Sequence, residues 1–270
     1  MKIDIPISFL QSGNDLKVTP NLICKHPTLN DIWQIDQETN GFRSEGLYYQ
    51  MVSVFLTDPY DYMVFLDDNR LDYESVSPFD VFCMLFAEYT KQLIACNPAE
   101  AADVLLKNNL YFHAFHFFLG VDFFTLAQMA DGKNVLLDVN NNILMDSTVY
   151  ELCSAFIRVM NGIGEADKIH PENAFAKKIL IEDSREEMKR KSKKKQDTPQ
   201  NRLGNLISSV TWGSTGAATP FNRGGLHIYD LVDGIYRTDK KLNFKNNMIG
   251  LYSGCIDKKN INFEKTYWSN

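Results

Sequence analysis

Residues 185–195 read REEMKRKSKKK, and seven of these eleven side chains are basic. A run of this kind stays solvated, so any apolar core has to form on either side of it. The charge of the chain also changes sign here. Residues 1–184 hold 12 Lys and Arg against 26 Asp and Glu, whereas residues 185–270 hold 16 against 8. The net charge of −6 is therefore an average over an acidic stretch and a basic one. A long helix is expected from about Glu172 to Lys194. Its first half is amphipathic through Phe175, Ile179 and Leu180, and its charged second half leads out of the core. QDTPQN follows as a linker. The expected division is an acidic α+β domain over 1–165, a charged helix and linker over 166–198, and a small basic helical domain over 199–270.

Periodicity and cap residues supply the elements on either side. IDIPISFL at 3–10 alternates and predicts a strand, and LKVTPNLICK at 16–25 predicts strand or extended chain. Thr28 caps a helix through Leu29, Ile32, Trp33 and Ile35. A helix over 45–56 turns Leu47, Met51, Val54 and Phe55 inward. Pro59 opens a short helix, and Ser77 with Pro78 opens a stronger one. The aromatic-rich segment 110–129 is read as strands. Residues 134–145 predict a hairpin with an Asn-rich turn at 140–142, because Asn tolerates left-handed backbone. Ser147 or Thr148 is expected to cap a helix that Asn161-Gly162 stops. Helices near 200–210, 226–239 and 242–254 complete the tail. The fold class is α+β: mainly helical, with a small antiparallel sheet or hairpin in the N-terminal two-thirds and an all-helical C-terminal segment.

Hydrophobic residues make up 44% of the 270, enough for a core without disulfides or metals. Cys24, Cys83, Cys96, Cys153 and Cys255 form no C-x-x-C pair. Most have apolar neighbours and are expected to be free thiols in a reducing compartment. MKIDIPISFL carries Asp4 and no long apolar run, so no signal peptide is expected. The stretches 79–87 and 110–130, interrupted by Glu88, Gly120 and Asp122, fall short of the ~20 apolar residues of a membrane span.

No motif for chemistry emerges. There is no P-loop, no G-x-G-x-x-G after a strand and no G-x-S-x-G elbow. His113 and His116 are the one close histidine pair. On the strand reading they point to opposite faces, and no metal is expected. Asp138-x-Asn140-x-Asn142 begins like a calcium loop, but Ile143 stands where Gly is required and Val149 where Glu is required. Asp67, Asp68, Asn69, Asp72 and Glu74 read as a solvated loop. No catalytic residue, cofactor or metal site is assigned, and the chain is expected not to be an enzyme.

The basic patch Arg185, Lys189, Arg190, Lys191, Lys193, Lys194 and Lys195 has several readings. It is a solvated helix end favoured by the helix dipole, a nucleic-acid contact, or a dock for an acidic partner, including the acidic half of another copy. The acidic remainder of the chain repels a phosphate backbone, so nucleic acid is the weaker choice.

Five segments carry a resemblance. They are HPTLNDIWQI at 26–35, FLTDPYDYMVFLDD at 55–68, LDYESVSPFDVFCMLF at 71–86, NAFAKKILIEDSREEMKRK at 173–191 and LYSGCIDKKNINFEKTYW at 251–268. In this order they resemble a family encoded beside the tail genes of bacteriophages and prophages of low-GC Gram-positive bacteria, described as tail assembly chaperones. The resemblance implies a protein of the host bacterial cytoplasm that binds the tape-measure protein and tail-tube protein during tail morphogenesis. It implies no catalytic residues. Candidate partner contacts are Pro59, Tyr60, Asp61, Tyr252, Gly254, Asp257 and Trp268. Local architecture is the competing account: Pro59 starts a helix, Gly254 stops one and Trp268 anchors a core. Related phages make short and long chaperones by frameshifting, and the lysines at 193–195 fit a slippery codon run, so a short form of 1–196 is expected. The alternatives are a structural tail or baseplate component, and an accessory enzyme or nucleic-acid-binding protein.

Overall fold

The computed structural model describes residues 5–38, 44–56, 59–72, 74–96, 98, 108–163, 171–194, 202–213, 222–263 and 267. The fold is α+β and mainly helical, with two small antiparallel sheets. Among the described residues, no helix is long and apolar enough to cross a membrane. The chain forms two compact units that do not follow chain order. The first comprises 1–26 and 46–200; the second comprises 27–45 and 201–270.

In the first unit, α1 (Ile7–Gln11) leads into strands β1 (Leu16–Thr19) and β2 (Leu22–Cys24), which pair as a hairpin. A strand was expected over 3–10; of that range, residues 5–10 are described, and they contain a helix instead. Pro6 fixes φ at −59°, and its carbonyl accepts from the amides of Phe9 and Leu10, which closes a helical turn over the buried Leu10. The edge of β2 continues into the core, where the Lys25 amide donates to the Phe118 carbonyl at 2.7 Å.

Helices α3 (Ser44–Phe55), α4 (Pro59–Asp68), α5 (Pro78–Cys96), α6 (Leu110–Leu119), α7 (Ser147–Met160) and α8 (Ala174–Lys194) make up most of the rest. Ser77 and Asp80 form a reciprocal box at the start of α5: the Ser77 hydroxyl donates to Asp80 at 2.6 Å, and the Asp80 amide donates back at 3.1 Å. Asp146, one residue before the expected Ser147, accepts from the Val149 amide and caps α7. The hairpin at 134–145 is present as β4 (Asn134–Leu137) and β5 (Ile143–Met145), with β3 (Thr125–Gln128) completing a three-stranded sheet. Asn141 takes φ of 61° in its turn.

The segment 110–129 corrects the strand expectation over its first half, while Thr125–Gln128 is the strand β3. Residues 110–119 are helical, capped by Asn109 and stopped by Gly120 at φ of 65°. Phe112, Ala114, Phe115, Phe118 and Leu119 are all buried, so apolar residues surround most of the helix and no amphipathic period shows in the sequence. Aromatic density imitates strand preference there. These rings pack with others from α3, α5, α7 and the segment after α6. The ring centroids of Phe115 and Phe124 lie 4.2 Å apart, those of Phe86 and Phe124 lie 4.9 Å apart, and those of Phe82 and Tyr150 lie 5.1 Å apart. Ser154 is buried and donates to the Phe55 carbonyl at 2.5 Å, tying α7 to α3. Cys24, Cys83 and Cys153 are buried free thiols, as expected, whereas Cys96 and Cys255 are exposed.

In the second unit, α2 (Leu29–Glu38) joins α9 (Arg202–Gly213) and α10 (Ile228–Tyr252). Residues 27–45 were expected within an N-terminal domain. They group instead with the C-terminal elements because backbone pairing draws them there. The Leu29 amide donates to the Leu226 carbonyl at 2.9 Å, and the Ile228 amide donates to the Pro27 carbonyl at 3.1 Å. A β-carbon on Gly224 would lie 2.2 Å from the Asn30 carboxamide oxygen, so glycine lets the two segments close. Arg223 stacks over the Trp33 ring at 5.9 Å. The two helices expected over 226–239 and 242–254 are one, because the polar stretch TDKK at 238–241 is helix surface and not a break.

Candidate functional site

The charged helix α8 packs along α4. Ile181 from α8 is buried with Tyr62, Met63, Val64 and Leu66 of α4 and Val81 of α5, and Leu180 packs against this cluster. The long helix therefore docks through its first half, but by Leu180 and Ile181; Phe175 and Ile179, expected on the inward face, are exposed. Polar contacts extend the docking. Lys177 pairs with Asp72 at 2.8 Å, and Arg185 pairs with Asp67 at 2.8 Å and with Asp68. Asp67 and Asp68 occupy the last turn of α4, where the helix dipole disfavours negative charge, so the Arg185 guanidinium offsets an intrinsic strain there. The hydrogen bonds to Asp68 and then Asp67 hold the Arg185 pKa above its ordinary value.

Arg185, the first residue of the basic patch, thus has intramolecular acidic partners. Arg190 lies near Glu186 and Glu187 of its own helix, at 3.6 and 3.9 Å. Lys189 is exposed. Lys191, Lys193 and Lys194 belong to α8 by their backbone, and Lys195 lies outside the described residues. The basic run belongs to the first unit, with the acidic residues that precede it. The first unit holds 18 basic and 25 acidic residues, and the second holds 10 and 9. The change of charge along the chain therefore does not separate one compact body from the other.

The candidate partner contacts are divided between the units. Pro59 begins α4 and Tyr60 follows it in the same first turn; Asp61 is exposed on that turn. Tyr252, Gly254 and Asp257 gather at the C-terminal end of α10 in the second unit. Tyr252 is the last residue of α10 and is 82% exposed. Gly254 takes φ of 76° and ends the helix. The Cys255 and Ile256 amides then donate to the Gly250 carbonyl at 2.8 and 3.0 Å, which satisfies a carbonyl the helix leaves open. Asp257 lies 3.3 Å from Lys259. Trp268 lies outside the described residues.

His113 and His116 correct the reasoning that set them aside. On α6 they stand one turn apart on neighbouring positions of one face. His116 Nδ1 meets the Asp122 carboxylate at 2.5 Å. Among the described residues, no three His, Cys, Asp or Glu side chains are grouped to hold a metal ion. In the Asn-rich turn the Asp138 carboxylate accepts from the amides of Asn140 and Asn142, both at 2.8 Å, and from the Asn142 side chain. These bonds lower its pKa and close the turn.

The surface that sequence reasoning missed lies on α10. Ile228, Leu231, Ile235, Thr238, Leu242, Lys245, Ile249 and Tyr252 recur at alternating spacings of three and four residues, a heptad seam along one side of the helix. Ile228 and Leu231 are buried, whereas Leu242, Ile249 and Tyr252 are exposed by 51%, 56% and 82%. The signal was legible as a heptad over four turns and more. Reading the segment as two short helices hid it.

Residues 191–270 match a family model described as the YomV second domain, a phage-gene-derived family. No curated protein and no solved structure matches the chain. The match covers under a third of the chain and points to an association with bacteriophages or prophages.

Proposed function

We propose that the protein works by binding other polypeptides, as a phage tail-assembly chaperone in the host cytoplasm. Its clients are the tape-measure protein, whose long apolar helices need shielding before the tail closes around them, and tail-tube subunits. The observation that carries this reading is the uncovered apolar half of the α10 seam. A helix face of this kind accepts an amphipathic helix. The phage-derived family match covers the same segment. The ordered resemblance over 26–268 supplies the tail context.

Co-expression with the tape-measure gene of the same phage tests the proposal. The expected result is a soluble complex that survives size exclusion, with tape-measure protein insoluble when expressed alone. An equally insoluble tape-measure protein in both cases sinks the chaperone role. Mass spectrometry of purified virions separates the neighbouring reading: abundance on the scale of a tail subunit makes the protein a structural component.

A further inference from the structure

The exposed half of the α10 seam has a definite chemistry. From Leu242 to Tyr252 it runs about 15 Å, the length of roughly three helical turns. Leu242 and Ile249 are successive first positions of the heptad, and Tyr252 follows at the fourth position. Lys245 occupies the fourth position between them, and both it and Lys241, four residues before it along one edge, are exposed. From residue 239 to residue 263 the chain carries five lysines and two aspartates. The seam is continuous with its own buried part, where Ile228 and Leu231 pack inside the second unit.

We infer that Leu242, Ile249 and Tyr252, with Lys241 and Lys245, form a docking strip for an amphipathic helix that carries acidic residues beside its apolar stripe. The occupant's leucine-like side chains sit on Leu242 and Ile249, and its glutamates or aspartates face Lys241 and Lys245. Opposite charge beside a coiled-coil seam selects the partner, and like charge rejects it. A second copy of this helix fits worse. Parallel in-register pairing brings Lys245 against its own counterpart, and antiparallel pairing about the middle of the strip sets Lys245 on the apolar Ile249. The inference rests on the same strip as the chaperone reading and names the chemistry it takes; the peptide assay tests the strip and co-expression tests the client, so the two failures are distinguishable.

The test uses the full chain and fluorescent synthetic helices of about 21 residues, three heptads, which is enough for coiled-coil pairing. The peptides share one leucine stripe and carry either glutamate or lysine beside it. The glutamate peptide is expected to bind at least about tenfold tighter than the lysine peptide at low salt, with the difference shrinking as salt is raised. Ile249→Asp is expected to lower glutamate-peptide binding by about tenfold or more. Its circular dichroism melt should match the parent, because Ile249 is exposed by 56%. Lys245→Glu should move the preference toward the lysine peptide. Equal binding of both peptides, binding of neither, or an unchanged affinity in Ile249→Asp overturns the inference. So does a dimer in sedimentation that Ile249→Asp dissolves, which would assign the strip to a second copy.

Discussion

The Tyr48 hydroxyl donates to Oδ1 of Asn161 at 2.8 Å, joining α3 to the residue that ends α7 across 113 positions of sequence. Tyr48 is fully buried, and burial pushes its phenol well above the usual range. Asn161 in turn donates from Nδ2 to the Ile157 carbonyl at 2.8 Å, so its orientation is fixed from both sides. Tyr48→Phe keeps the ring contacts and strands one half-buried acceptor. The expected loss is about 1–2 kcal/mol, read from the shift in urea midpoint at unchanged slope. A midpoint that does not move would mean water replaces the phenol.

Attachment of α8 to α4 rests on apolar burial more than on its visible ion pairs. Ile181 is 4% exposed within a cluster of α4 and α5 side chains. Ile181→Ala is expected to cost about 2–4 kcal/mol. Arg185→Gln, which breaks the contacts to Asp67 and Asp68 on a half-exposed surface, is expected to shift the melt far less and to lose even that shift in high salt. Thermal melts of the two variants at two salt concentrations decide the order, and a larger loss for Arg185→Gln would reverse it.

The end of α10 depends on two glycines in different ways. A β-carbon on Gly250 would lie 2.5 Å from Cδ1 of Ile256, so Gly250→Ala displaces the side chain that folds back over the helix. Gly254 has open space around it, but its φ of 76° costs any other residue about 1–2 kcal/mol. Both alanine variants are expected to speed hydrogen exchange at the Cys255 and Ile256 amides, which bond to the Gly250 carbonyl. Unchanged protection of those amides in both variants would show that the turn does not rest on glycine.

Stability is expected to fall on the alkaline side. Burial pushes Tyr62 and Tyr111 from an ordinary 10.0 up to about 12, and Cys83 from 9.0 up to about 12. The folded chain therefore holds these protons at pH values where the unfolded chain releases them, so unfolding releases protons and rising pH favours it. The contribution is intact below about pH 9 and is lost progressively between about 9 and 12, as the cited shifts require. Urea midpoints measured across that window should decline, and Tyr111→Phe should decline less steeply than the parent. Equal slopes in the two proteins would remove Tyr111 from this account.

Elements marked by their ends were legible in the sequence. Thr28, Pro59, Ser77 and Gly162 each stand where a helix begins or stops, because these residues act through local hydrogen bonds or fixed backbone angles that need no distant partner. The docking half of α8 was legible as a segment, but its face was not: Leu180 packs against the core, Phe175 and Ile179 are exposed, and the buried anchor is Ile181. Segment 110–119 was not legible as a helix, since a helix covered on nearly every side loses the contrast between faces that periodicity detects. Segment 7–11 misled because a few alternating residues outweighed one proline. Of the candidate contacts, Gly254 was legible as a helix stop. The Asp67–Asp68–Arg185 cluster and the pairing of 27–29 with 226–228 join residues far apart in the chain, and nothing local announces them.

The second unit draws on both ends of the chain, and that sets an order of events during synthesis. Residues 27–45 leave the ribosome more than 150 residues before their partners at 201–270, a wait on the order of ten seconds at bacterial rates. Throughout that interval Leu29 and Ile32, fully covered in the finished protein, have no C-terminal helix to rest against. A product that ended near residue 196 would keep them bare for its whole lifetime. Shortening this protein at its charged helix therefore does more than remove a tail: it leaves an orphaned helix near the amino terminus, with an apolar side free for capture.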